Sequence, residues 1–546
     1  MAGAPSHCGV RWMYKEENSW KAFCGADSIA LEIEHQNKRP GSRRGSTTND
    51  PVVVLGGMLE IDVQNRVGSS IFFKGKPDVA IIRGTWFTEE KGVYQPLPEE
   101  DADVIEKEHT SRELQGKIVS KKSKGDEILH KLNSSSRRGS SSSFVAWYGK
   151  DEIWLNKNDA GFQLTQAVGG FLGGKKKGQL LRAKRLRRGW HTVADSSDSI
   201  PPVSHLVFVV HGIGQSLSPG SISSQCFQLS TEALGEMRKD STDGKLDGRV
   251  EFLPIEWRTL LRLDDGAIDR ITPPGIQKIR KISNLAVMDV LYYTSPVFGA
   301  EIMNSVCSEM NSQYRKFVER HPWFVNGGRV SILGHSLGSV ISYDILEEAT
   351  RSDKYKLNFR VENFFAIGSP LSLFWTVRGK SKPSSVILPT RVCKRMFNIY
   401  QRSDPVAYRW EPFIVPRYST IDPVRVSARL SSVKKPTSSS SSSSSSDVTD
   451  GNTTISPTTS LWAKVGDTLT KTFLGSKATN VADDDDDALL ESEDSLPNER
   501  RLPRRYDYAL AESFMESTGQ YLRAITAHLC YWTSKETLQF ILEHTQ

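Results

Sequence analysis

Gly334-His335-Ser336-Leu337-Gly338 stands directly behind the apolar run Val330-Ser331-Ile332-Leu333. It stands directly before Ser339 to Ala349, a segment whose apolar residues recur at helical spacing. No other feature restricts the fold of this chain as tightly. A buried strand, a Gly-x-Ser-x-Gly turn and a helix in immediate succession leave the serine on a sharp, strained corner. Gly334 and Gly338 carry no side chains, so strand and helix can crowd together across it. The corner lifts the Ser336 oxygen clear of the sheet. It also sets a helix N-terminus beneath any negative charge that develops on a bound ester.

The surrounding chain fits a serine nucleophile. Upstream, Leu206-Val207-Phe208-Val209-Val210 reads as a second buried strand, ending in His211-Gly212-Ile213-Gly214. A strand followed by a glycine-rich loop is where backbone N–H groups can meet a substrate oxyanion. Gly212 and Ile213 are therefore candidates for the oxyanion hole, together with the N–H of Leu337. The His211 side chain either takes part there or merely shapes the turn. Downstream, Val361 to Ile367 and Met396 to Tyr400 read as two more strands, the first ending in Gly368-Ser369-Pro370 and the second in Gln401-Arg402-Ser403-Asp404-Pro405. An acid just past a strand end, two strands after the nucleophile, suits the group that orients a catalytic base. This selects Asp404, with Asp507 as its competitor and an ordinary Asp-Pro turn as the alternative. Of the histidines to choose from, His335 immediately precedes the serine and His544 lies two residues from the last residue. His528 is left as the general base. Order and spacing predict an α/β-hydrolase with a mostly parallel sheet.

At this point several segments together resemble the DDHD-domain family, the intracellular phosphatidic-acid-preferring phospholipases A1. The matching segments are Val207 to Gln215, Gly334 to Ser339, Phe365 to Leu371, Tyr400 to Arg409, Arg505-Tyr506-Asp507-Tyr508 and Ala527-His528-Leu529-Cys530-Tyr531-Trp532. They lie in order over residues 200–546, and the DDHD region itself would cover about 357–546. More loosely, Val10 to Tyr14 with Trp20 and Phe23 is similar to the WWE-like module that precedes the lipase in that family. Arg83 to Phe87 and Leu186 to His191 resemble it as well. The resemblance implies an intracellular lipase cleaving the sn-1 ester of a phospholipid. Of the four residues behind the family's name, Asp404, Asp507 and His528 fill three places. The fourth falls at Lys535-Glu536, where an aspartate is expected. With that departure no metal is assigned.

Length and composition bound the rest. A chain of 546 residues suits two or three domains. Residues 1–100 form a strand-rich N-terminal module and 101–145 a charged, Ser-rich linker. Residues 146–204 connect to a hydrolase over 205–546. A segment at about 427–498 holds a serine run and Asp483 to Asp487. It cannot bury a core and is expected to be a disordered insertion. No apolar run is long enough to span a bilayer, and no signal peptide opens the chain. The six cysteines show neither zinc nor disulfide spacing. The expectation is a cytoplasmic protein, peripherally associated with membranes. The net charge is +7, concentrated in Lys175-Lys176-Lys177 and Arg182 to Arg188, which could meet an anionic membrane surface. No module for reading nucleic acid accompanies it, so no nucleic-acid partner is expected. Ser46 and Ser140 each follow an Arg-Arg-Gly and suit basophilic kinases.

The sequence thus reads as a serine phospholipase A1 that needs no cofactor. Ser336 attacks, His528 moves the proton and Asp404 orients it. Two readings compete with it: a lipid-binding trafficking scaffold without turnover, and a neutral-lipid hydrolase with the same triad.

Overall fold

A computed structural model describes residues 9–16, 19–38, 51–73, 78–114, 128–132, 143–147, 152–157, 184–212, 221–241, 246–257, 270, 290–380, 385–426, 492–493, 496–497, 501–511 and 526–546. The chain divides into two compact units, Met1–Ile71 with Gly75–Ile200, and Phe72–Lys74 with Pro201–Gln546.

The first unit holds two six-stranded antiparallel sheets. In order across the first sheet lie Ser19–Ala22, Arg11–Glu16, Val79–Gly84, Val67–Ser70, Leu59–Asp62 and Val52–Val54. Across the second lie Val93–Pro96, Trp86–Glu90, Lys184–Arg188, Ile153–Lys157, Ser143–Trp147 and Ile128–Leu132. Both follow one plan: a hairpin, a helix (Gly25–Asn37 or Glu99–Leu114), then four strands whose last returns to pair with the first. The same polar set recurs in each. The buried Trp12 indole N–H donates to Glu32 at 3.1 Å, and that of Trp86 donates to Glu106 at 2.8 Å, each acceptor twenty residues further on. Arg83 grips Glu32 at 2.7 Å, and the Arg188 Nε–H donates to Glu106 at 3.0 Å. His35 and His109 stand edge-on to the two tryptophans, at 5.7 and 5.4 Å between ring centroids. A buried indole N–H needs an acceptor, and a buried carboxylate needs a cation.

The described part of the basic stretch lies in this unit. Lys184 to Arg188 is a strand, with Leu186 in the core. Its cations face acids of the same unit: Lys184 meets Glu90 at 3.0 Å, Arg187 meets Glu89 at 2.6 Å, and Arg188 pairs with Glu106. Lys175 to Lys177, Ser46 and Ser140 lie outside the described residues.

The second unit is built on a seven-stranded, wholly parallel sheet. Its order is Arg249–Ile255, Val203–Val210, Arg329–His335, Val361–Ile367, Cys393–Tyr400, Asp507–Ala509 and Val424–Arg425. The central strands are apolar on both sides because a parallel sheet is covered on both faces; Leu206 to Val210 are fully buried. Helix Leu337–Glu348 packs against the strand before it, against Phe298–Arg320 and against Leu371–Val377. Lys535–Thr545 packs against Ile222–Asp240. Mixed α/β architecture with a parallel sheet and an antiparallel strand-rich N-terminal region therefore describes the molecule.

The insertion expected at 427–498 lies outside the described residues, apart from 492–493 and 496–497. Those positions are anchored: Leu496 is buried against Tyr418 and Ile421, and Glu493 meets Arg505 at 3.3 Å. Among the described residues no helix is long and apolar enough to cross a membrane.

Candidate active site

Because the strands are parallel, their carboxyl ends share one edge of the sheet. Val210 pairs with Gly334, His335 with Ile367, and Ile367 with Ile399. The residues that follow, His211-Gly212, Ser336, Gly368 and Gln401 to Asp404, consequently leave the sheet side by side. Open parallel sheets place their ligand sites at this edge.

Ser336 joins strand to helix at φ +54° and ψ −127°, a conformation that costs a non-glycine residue about 1–3 kcal/mol. Its N–H donates to the Ile367 carbonyl at 3.0 Å, and its carbonyl accepts from the Ser339 N–H at 3.0 Å. The glycines do what the spacing demands, one of them for another neighbour. A Cβ on Gly334 would lie 2.6 Å from Ser339 Cα across the turn, whereas a Cβ on Gly338 would lie 2.2 Å from the Val210 carbonyl oxygen of the adjacent strand. Ser336 is fully buried, and among the described residues its Oγ has no hydrogen-bond partner.

Part of the reason is the loop beside it. A Cβ on Gly212 would sit 2.5 Å from Ser336 Cβ and 2.9 Å from the Leu337 nitrogen. Gly212 therefore lies against both the candidate nucleophile and the candidate oxyanion donor. Ile213 lies outside the described residues. The His211 ring stacks on Trp257 at 5.3 Å, and the Trp257 indole N–H donates to the His211 carbonyl at 3.1 Å. These contacts fix the loop backbone. Gly212→Ala is expected to drive loop and corner apart and to lower esterase turnover about a hundredfold; a steady-state assay on a soluble short-chain ester measures it.

The candidate base and its candidate orienter lie in contact. His528 Nδ1 lies 3.0 Å from both carboxylate oxygens of Asp404, although 124 residues separate them. An ionised carboxylate only accepts, so Nδ1 carries a proton in this contact. Burial opposes ionisation of Asp404, yet hydrogen bonds from His528, Tyr531 and the Val406 N–H hold it below its ordinary value. His335, next to the serine, secures this histidine. Its Nε2 lies 2.9 Å from the His528 carbonyl oxygen and therefore donates to it, and the two rings lie 4.8 Å apart.

Burial, then the nearby His528, pushes His335 down to about 3. Burial, then Arg329, does the same to His205, which sits between Ser331 and the Thr545 carbonyl. Both are neutral in the fold, while the unfolded chain protonates them below about 6.5. The unfolded state then binds more protons, so stability falls with pH from about 6.5 towards 3, by up to about 1.4 kcal/mol per pH unit for each. Asp507, pushed up to about 6 by burial and by the Glu411 carboxylate, acts with the opposite sign and offsets part of the loss between about pH 6 and its ordinary carboxylate value. The urea midpoint at pH 5 should lie below that at pH 7. Equal midpoints would contradict the burial argument.

Asp507 itself is far from free to orient His528. Its carboxylate accepts from Asn398 at 2.9 Å, from the N–H groups of Trp410 and Glu411 at 2.8 and 3.1 Å, and from Arg409 at 3.2 Å. Glu411 in turn takes Arg505 at 2.8 and 2.9 Å. This buried cluster ties the segment after Asp404 to the strand Asp507–Ala509. Glu536 accepts from Ser534 at 2.9 Å in the first turn of Lys535–Thr545. Among the described residues no group of three or more His, Cys, Asp or Glu is placed to hold a metal ion.

The arrangement has the parts of an acyl-transfer site: a hydroxyl on a strained corner, an imidazole whose backbone carbonyl is held by the residue before that hydroxyl, a carboxylate at the imidazole Nδ1, and a backbone N–H at a helix start. The DDHD domain model matches residues 357–501 and 430–545. The human protein named Phospholipase DDHD1 is 31% identical over 530 residues, covering 76% of this chain and 57% of the relative. The Caenorhabditis elegans protein named Intracellular phospholipase A1 is 31% identical over 504 residues, covering 76% and 57%. The human protein named Triacylglycerol hydrolase DDHD2 is 26% identical over 513 residues, covering 66% of this chain and 71% of the relative. The chain thus spans little more than half the length of the first two. The domain model runs through the segment that carries Asp404, Asp507 and His528, and two relatives are 31% identical over 76% of the chain; the chain belongs to the DDHD-domain family.

Proposed function

We propose that the second unit is an α/β-hydrolase working as a serine phospholipase A1, cleaving the sn-1 acyl ester of phosphatidic acid at a membrane surface on the cytoplasmic side. The observation that carries this is the His528–Asp404 pair, held by His335 against the corner that bears Ser336. In the reaction Ser336 Oγ attacks the acyl carbonyl while His528 Nε2 takes its proton. The oxyanion is met by the Leu337 N–H and by the loop of Gly212 and Ile213. Collapse expels the glycerol oxygen, which recovers the proton from His528, and water releases the fatty acid from Ser336 by the same route. Residues 1–100, which hold the Trp12–Glu32 set, are proposed as the WWE-like module.

A second substrate class has specific support, because one relative is named a triacylglycerol hydrolase. Both are tested together by presenting vesicles of phosphatidic acid with different sn-1 and sn-2 chains, and triacylglycerol emulsions. Release of the sn-1 fatty acid alone is expected. Preferential attack on triacylglycerol would transfer the reading to the neutral lipid. No release from either, by a protein that still binds the vesicles, would leave a scaffold.

A further inference from the structure

One member of this site has no part in the triad. Tyr531 is buried, and its hydroxyl donates to Asp404 Oδ2 at 2.7 Å while accepting the Gln401 N–H at 3.0 Å. Gln401 opens the turn that carries Asp404, whose N–H donates to the Gln401 carbonyl at 3.0 Å. The phenol therefore binds both the backbone at the start of the turn and the carboxylate at its end. Tyr531 is also three residues from His528, so one short segment delivers the base and the clamp together. Gly368 makes room for them. At φ +56°, a Cβ there would lie 2.7 Å from the Tyr531 ring, 2.9 Å from Asp404 Oδ2 and 3.3 Å from His528 Nδ1.

Resting on the esterase reading, we propose that Tyr531 is a positioning residue for the reaction: its hydroxyl holds Asp404 in the orientation that receives the His528 Nδ1–H, in a space that Gly368 keeps open. Without the clamp, Asp404 can rotate about its Cα–Cβ and Cβ–Cγ bonds, and the imidazole loses a fixed partner. The hydroxyl also draws charge from the carboxylate. Removing it concentrates that charge on the oxygens facing His528 and favours the imidazolium. Burial, reinforced by the Asp404 charge, pushes the phenol well above its ordinary value, so it stays a donor across the working range. Titratable neighbours among the described residues are shifted away from neutrality. His335 is pushed down to about 3, and burial pushes the Cys530 thiol up to about 12.

The test is Tyr531→Phe in the full chain, assayed on a soluble short-chain ester beside wild type. The substitution keeps the ring and removes one hydrogen bond to a charged group. Turnover is expected to fall about tenfold with KM nearly unchanged, and the acid limb of the kcat/KM profile to move to higher pH by roughly half a unit. The downfield proton resonance of the hydrogen-bonded His528 Nδ1–H should shift or broaden. A purely packing role would lower stability without moving the acid limb or that resonance. Wild-type turnover, acid limb and resonance in a folded Tyr531→Phe protein would overturn the inference. If that variant does not fold, Gly368→Ala keeps the hydroxyl but wedges the clamp, and unchanged turnover and acid limb there would overturn it equally. A wild type that neither turns over the ester nor reacts with a fluorophosphonate would show that the esterase reading itself has failed, taking the inference with it.

Discussion

Ser336→Ala is expected to lower ester hydrolysis by about 10⁶, to the level left by binding and oxyanion donors alone, because the hydroxyl is the only atom replaced at the proposed bond-forming centre. The fold should survive. Among the described residues the Oγ has no hydrogen-bond partner, so its removal leaves none of them unsatisfied. Alanine meets the same backbone strain at φ +54° as serine does, so the cost of the corner is unchanged. Activity on a lipid interface and on a soluble ester should fall together in the variant. Turnover within tenfold of wild type would remove Ser336 from the mechanism.

Asp404→Asn is the second large effect, roughly 10⁴ in turnover. The amide can present an N–H to His528 Nδ1, which favours the tautomer whose Nε2 is protonated and cannot accept from Ser336. Asp507→Asn makes the contrasting case. That carboxylate holds Arg409 and two backbone N–H groups, not the imidazole. Breaking one side of a buried ion pair costs on the order of 3–5 kcal/mol, so a lower urea midpoint is expected with a much smaller loss of turnover per folded molecule. The reverse ranking, with Asp507→Asn folded but inert and Asp404→Asn near normal, would contradict the assignment. Measuring kcat and the denaturation midpoint on both variants separates the cases.

What the sequence made legible was local. Strands covered on both faces appear as unbroken apolar runs, so Leu206 to Val210 and Val361 to Ile367 could be read directly, and the glycines around Ser336 marked the corner. Asp404 and Asp507 could not be ranked with certainty, because what distinguishes them is a contact with His528 across 124 residues. The burial of Ser336 depends on Gly212 from another strand end, which no local pattern announces. Charge density made Arg182 to Arg188 look available for an anionic surface. The described part is a strand whose acidic partners, Glu89, Glu90 and Glu106, lie far back in the chain. The common plan of the two N-terminal sheets was missed for a related reason. Its signal is a tryptophan with a glutamate twenty residues later and a histidine on the same helix, scattered among loops of different length. Tyr531 stood inside a segment already singled out for His528, but its role shows only once the hydroxyl is seen on Asp404.

The central claim, that Ser336 is the activated nucleophile, is tested most directly by locating a fluorophosphonate adduct. The native protein is labelled, digested with trypsin and analysed by mass spectrometry. The expected result is a single phosphonylated serine, Ser336, in the peptide of residues 330–351, with the adduct lost in Ser336→Ala and strongly slowed in Asp404→Asn. An adduct on another serine, or no adduct in a protein that hydrolyses lipid esters, would contradict it.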